Sequence, residues 1–144
     1  MAHSLTTDDR AFRQAFEACE YPPGDFNHRA HVRLAYAYLV GSDTDGAYEA
    51  MRGALHAFLA HHGVDPAKYH DTMTRAWVMA VRHFMERSPY ADSADDFIDR
   101  NPRLLDPKIM LTHYSAGVLF SDDARAGFVE PDIDPIPRYD EERS

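Results

Sequence analysis

Apolar residues return every three or four positions through most of this chain, the spacing that gathers them on one face of an α-helix. In TTDDRAFRQAFEACE, Ala11, Phe12, Ala15, Phe16 and Cys19 form one stripe behind a Thr or Asp cap, and YPPG stops the run. In NHRAHVRLAYAYLVGS, Asn27 is a good N-cap, and His31, Leu34, Ala35, Tyr38 and Leu39 recur until Gly41. That spacing predicts a second helix over about 28–40. A third helix follows a Thr44 or Asp45 cap, with Ala47, Met51, Ala54, Leu55, Phe58 and Leu59 on its apolar face and Gly63 as a left-handed stop. The fourth carries Met73, Trp77, Ala80, Val81 and Phe84 and closes at Ser88 and Pro89.

Beyond Pro89 the pattern breaks into shorter pieces. SADDFIDRN opens on a Ser cap and two early acids, DPKIMLTHYS has Asp106 as cap with Pro107 in the first helical position, and SDDARAGF opens on Ser121; each predicts a brief helix. From Phe128 on, FVEPDIDPIPRYDEERS holds too much proline to continue as helix and reads as an extended strap over the surface. No segment alternates apolar and polar residues between hairpin turns. The expected fold class is therefore all-α: a single-domain helical bundle of four main helices plus short helices and a Pro-rich C-terminal strap. The domain spans 1–137, with a disordered acidic tail over 138–144.

Composition narrows the function classes. With 144 residues the chain suits one domain and one core. A formal net charge of −9 without any basic run argues against a nucleic-acid partner, because phosphate binding draws on clustered Lys and Arg. Apolar runs such as AWVMAV and LAYAYLV fall well short of the roughly 20 residues that span a bilayer. MAHSLTTDDRAF lacks the features of a secretion signal, so no membrane partner and a cytoplasmic location are expected. A homodimer is compatible with all of this. Cys19 is the one cysteine, which excludes an internal disulfide and a Cys-based zinc cluster, and its place on the first stripe predicts a small core residue.

The candidate chemistry lies in the histidines. Short loops make successive helices antiparallel, so the starts of the second and fourth helices share one end of the bundle. His28 and His31 open the second helix and His70 opens the fourth. Positions 28, 31, 35 and 38 share one inward stripe and 70, 74, 77 and 81 another, so three imidazoles are expected to converge. Buried imidazoles need hydrogen-bond partners or a metal, and three of them leave coordination positions open for water or substrate. The metal: His28, His31 and His70 would hold a divalent transition metal, Zn, Fe or Cu. The competing reading satisfies the same rings within the core, through Tyr38, Thr74 or backbone groups.

Around that site, Tyr69, Thr74 and Glu130 are the candidate catalytic groups, Glu130 arriving on the proline strap over the open end. Arg33 and Tyr38 are the candidate substrate-binding residues. His61 and His62 suit the negative end of the third helix and reach the same end as His28, where one of them could be a fourth ligand. His56 and His83 fall off the apolar stripes and read as solvent-facing, and His3 as part of a frayed start.

FNHRAHVRLAYAYL, KYHDTMTRAW, HYS and FVEPD together resemble a small bacterial helical family with the pattern F-x-H-x-x-H followed by K-Y-H-x-T-x-T. Phe26, His28, His31, Tyr69, His70, Thr72 and Thr74 match its positions, and the resemblance carries no activity. The three histidines at one end of four helices are similar in architecture to DinB-like bundles, whose paired histidines lie on the last helix at i,i+4. YHDT resembles the His-Asp doublet of HD-domain phosphohydrolases. The function expected is a small metal-dependent enzyme acting hydrolytically or oxidatively on a small molecule. The alternatives are a non-enzymatic binding module with structural core histidines, and a metal-free acid/base isomerase.

Overall fold

The computed structural model describes residues 2–139, and no strand occurs among them. The helices are α1 (Thr7–Glu17), α2 (His28–Leu39), α3 (Thr44–His61), α4 (Asp71–Arg87), α5 (Ala94–Arg100), α6 (Ala116–Leu119) and α7 (Asp122–Ala126). Short 3₁₀ helices at Pro23–Asp25, Pro66–Lys68, Pro102–Leu105 and Pro107–Thr112 join them, each led by a proline whose fixed φ suits a first helical position. DPKIMLTHYS thus forms a 3₁₀ helix, and the α6 turn is one that periodicity did not predict.

Caps set the boundaries. Asn27 accepts from the Ala30 N–H and starts α2, while Asp43 accepts from the Gly46 N–H at 2.7 Å and starts α3 one residue earlier than expected. Gly63 takes the left-handed conformation predicted for it, at φ +67°. Helix α1 stops before YPPG because Cys19 itself is left-handed, at φ +61°. Its half-buried thiol lies 3.6 Å from the Ala57 carbonyl oxygen, so Cys19 sits beside α3 and is not the core residue its stripe predicted.

The core forms around α2, which is buried at Val32 and from Leu34 to Leu39 among α1, α3, α4, α5 and the 102–105 turn. Phe16 and Phe58 stack at 4.3 Å between ring centres, joining α1 to α3. Residues 127–139 carry no helix yet are tied down. The Thr72 hydroxyl donates to the Gly127 carbonyl and accepts from the Val129 N–H, Tyr114 donates to the Val129 carbonyl, and Ile136 is buried. Residues 140–144, most of the predicted acidic tail, lie outside the described residues. No helix among the described residues is long and apolar enough to cross a membrane.

One buried carboxylate organises the N-terminal half. Asp9, 2% exposed, accepts from the N–H groups of Thr6 and Ala94 at 3.1 and 3.0 Å and from the Arg33 guanidinium at 3.1 Å. It therefore joins the starts of α1 and α5 to α2. Burial alone would raise its pKa, but the two backbone N–H groups and Arg33 outweigh burial and hold it below the ordinary value. Asp9→Asn is expected to cost about 2 kcal/mol at neutral pH, because charge-assisted hydrogen bonds become neutral ones. Urea titration of the two proteins measures it, and an unchanged midpoint would show that Asp9 carries no such load.

Candidate functional site

The histidines at the starts of α2 and α4 are occupied in different ways. His28 donates from Nε2 to the Leu104 carbonyl at 2.9 Å and packs edge-on against Trp77, fixing α2 to the 102–105 turn. His70 precedes α4 in an extended conformation and is its N-cap: Nδ1 accepts from the Met73 N–H at 3.1 Å, and Nε2 donates to the Leu119 carbonyl at 2.7 Å. Both its nitrogens are committed, so it has no lone pair to give a metal in this arrangement. His31 stacks on Phe26, and its Nε2 is enclosed without a partner. Burial, followed by the neighbouring His28, pushes its pKa down to about 4, which keeps the ring neutral.

The expected convergence of His28, His31 and His70 is not what the structure describes. Among the described residues no group of three or more His, Cys, Asp or Glu side chains is placed to hold a metal ion. The physical reason is that His70 lies outside its helix, where the stripe that was to aim it inward does not apply. A chelator is accordingly expected to leave the melting temperature unchanged, measured on protein purified without a histidine tag; a marked drop with EDTA would restore the metal reading.

The remaining candidates are dispersed. Arg33 is held by Asp9, and Tyr38 donates to Glu17 at 2.6 Å. Glu130 is an exposed partner of Arg138, while Phe128 lies beneath the Arg75 guanidinium. His3 is not frayed: Nε2 donates to the Met85 carbonyl and Nδ1 accepts from the Ala91 N–H. His62 packs on Phe58, and its Nε2 is enclosed without a partner.

Tyr69 and Thr74, by contrast, meet at one place. Asp71, 6% exposed in the first turn of α4, accepts through Oδ1 from the hydroxyls of Tyr48 and Tyr69 at 2.6 and 2.7 Å. Burial first and the bond to Asp71 next push the Tyr48 phenol up to about 12. Burial and Asp71 likewise raise Tyr69, with the neighbouring Thr74 side chain working the other way. Both phenols therefore stay protonated at neutral pH and act as donors.

Tyr69 and Asp71 line a cleft of about 370 Å³ between α3, the start of α4 and α7, a size suited to a small metabolite. Its lining also includes Arg52, His56, Asp122, Arg125, Pro66 and Ala126. The His56 ring lies 4.1 Å from that of Tyr69, and Arg125 donates to the Ala67 carbonyl. Arg52 Nε is 3.9 Å from Asp71 Oδ1, too far for a hydrogen bond, so it contributes field more than contact. Tyr48 and Arg52 were not singled out by sequence reasoning and His56 was read as solvent-facing, although the three are spaced four apart on one side of α3. A row of polar groups flanking the apolar stripe was the available signal. Compared with family models, with curated proteins and with solved structures, the chain matches none.

Proposed function

We propose that this protein is a metal-free acid/base enzyme acting on a small anionic carbonyl compound. Its site would lie near one end of a four-helix bundle whose proline-rich strap packs alongside. The observation that carries this reading is the buried Asp71 carboxylate receiving two phenol donors in a cleft whose lining includes Arg52 and Arg125 as well as Asp122. Arg52 and Arg125 would receive the carboxylate or phosphate of the substrate. A phenol that turns its O–H from Asp71 to the substrate carbonyl stabilises the negative charge developing there. The same turn takes a donor away from Asp71 and frees an oxygen lone pair to face the substrate. In a hydroxyketone Asp71 then takes the proton from the hydroxyl-bearing carbon while the phenol protonates the carbonyl oxygen, giving an enediol; the phenolate takes the proton of the other hydroxyl as Asp71 returns its proton to the former carbonyl carbon, which completes the isomerisation.

The test is exchange. Small 2-oxo acids and hydroxyketone phosphates are incubated with the protein in D₂O, and loss of the C–H signal beside the carbonyl is followed by proton NMR. Protein-dependent exchange in at least one compound is the expected outcome. If none exchanges faster than in buffer, the acid/base reading is wrong and the cleft is at most a binding site.

A further inference from the structure

A second cavity lies at the start of α3, lined in part by residues 137–139. Its volume is about 60 Å³, and its lining includes Thr44, Arg75, Arg82 and Arg138, three arginines against the single carboxylate of Asp45, in a chain of net charge −9. Two of its lining side chains are more than nine-tenths buried and have a polar atom without a partner. Arg82, 7% exposed, donates from Nη1 to the Ser42 carbonyl and pairs through Nη2 with Glu86, while its enclosed Nε has no acceptor. Thr44, 8% exposed, has an enclosed hydroxyl that makes no hydrogen bond. Thr44 follows the N-cap Asp43, so its side chain is not required for capping.

An enclosed guanidinium N–H without an acceptor is costly, and two such groups lining one small cavity point to an occupant that accepts from both. Arg75 and Arg138 have acidic partners in Asp45 and Glu130, so both cations are held at the cavity wall. Arg75 is also packed over the rings of Tyr48 and Phe128. The first turn of α3 adds the positive end of an 18-residue helix. Room for about two water molecules admits the oxygens of a tetrahedral oxyanion and little beyond them.

We infer that this cavity is a binding site for a small inorganic oxyanion such as phosphate, with the Arg82 Nε–H and the Thr44 hydroxyl as donors. It is separate from the cleft at Asp71 and does not depend on the reaction proposed there. A phosphate monoester offers the same oxygens but carries an organic group that the cavity cannot enclose, so the free ion is the expected ligand.

The test uses the full chain, titrated with inorganic phosphate, with glycerol phosphate and with chloride at matched ionic strength, read by calorimetry and by the melting temperature. Saturable binding of phosphate, weaker binding of the ester and no response to chloride are expected. Thr44→Val and Arg82→Lys should each weaken phosphate binding roughly tenfold or more. Thr44→Val removes an unpartnered buried hydroxyl, so without phosphate it should melt no lower than the parent, which separates a lost ligand from a damaged fold. Equal affinity for phosphate in the parent and in Thr44→Val, or no response to phosphate beyond that to chloride, would overturn the assignment and leave water as the cavity's occupant. Tighter binding of the ester would overturn the choice of a free ion.

Discussion

Asp71→Asn is expected to slow deuterium exchange into the substrate by about 10²- to 10⁴-fold while leaving the melting temperature close to that of the parent. Asparagine keeps an oxygen that can accept from both Tyr48 and Tyr69, so the contacts that join α3 to α4 survive the exchange. What it loses is the capacity to take a proton at neutral pH. Tyr69→Phe acts on the other half of the chemistry, removing the phenol that lines the cleft and can turn to a developing oxyanion, and should cost about 10²- to 10³-fold, whereas Tyr48→Phe, outside the cleft lining, should cost less. Full activity in Asp71→Asn would place the base elsewhere. Activity lost together with the cooperative melt would show Asp71 to be a structural residue only.

Acidification is expected to destabilise the fold by about 3 kcal/mol between about pH 6.5 and pH 4, and His31→Phe should remove most of that loss. In the folded protein the His31 ring stays neutral down to about pH 4, held there by burial and by His28. In the unfolded chain it takes up a proton below about 6.5. The unfolded state therefore binds more protons across this window, and stability falls as pH drops through it. The pKa values of His70 and His83 are depressed as well, burial being the largest cause in each, so a smaller slope of the same sign should remain in the variant. Phenylalanine keeps the stack on Phe26 and removes the enclosed nitrogen that has no partner. Guanidinium titrations at several pH values measure both slopes. Identical slopes in the two proteins would mean that His31 does not titrate as its burial implies.

The helices were legible in the sequence where their apolar period is long. The second helix, predicted over about 28–40, is His28–Leu39, and the third ends at its left-handed glycine as expected. The candidate site was less legible because its members are not set by that period. His70 was counted as an inward helical position, but a residue that precedes the first turn is extended, and its ring folds back to cap the helix. Arg33 and Tyr38 were assigned to substrate, yet their partners Asp9 and Glu17 lie on a neighbouring helix, a pairing that no one-dimensional pattern displays. Asp9 itself had a local signal, Thr6 and Asp9 at capping-box spacing, though nothing in that motif foretells its bond to Ala94. Tyr69 and Thr74 were found, and Asp71 between them entered only through the likeness of YHDT to a His-Asp doublet.

The long reach of Asp9 bears on how the chain matures during synthesis. Its bond to Ala94 spans 85 residues, and Ser4 and His3 close on the same region through Ala91 and Met85. Translation delivers residues 3–9 before their anchoring groups on the later part of the chain, which follow on the order of ten seconds afterwards at ordinary elongation speeds. Through that interval α1 must stand on its own capping box and on contacts with α2 and α3. Until then residues 3–9 lack those anchors and are open to a chaperone or protease, and they close only when α5 leaves the ribosome.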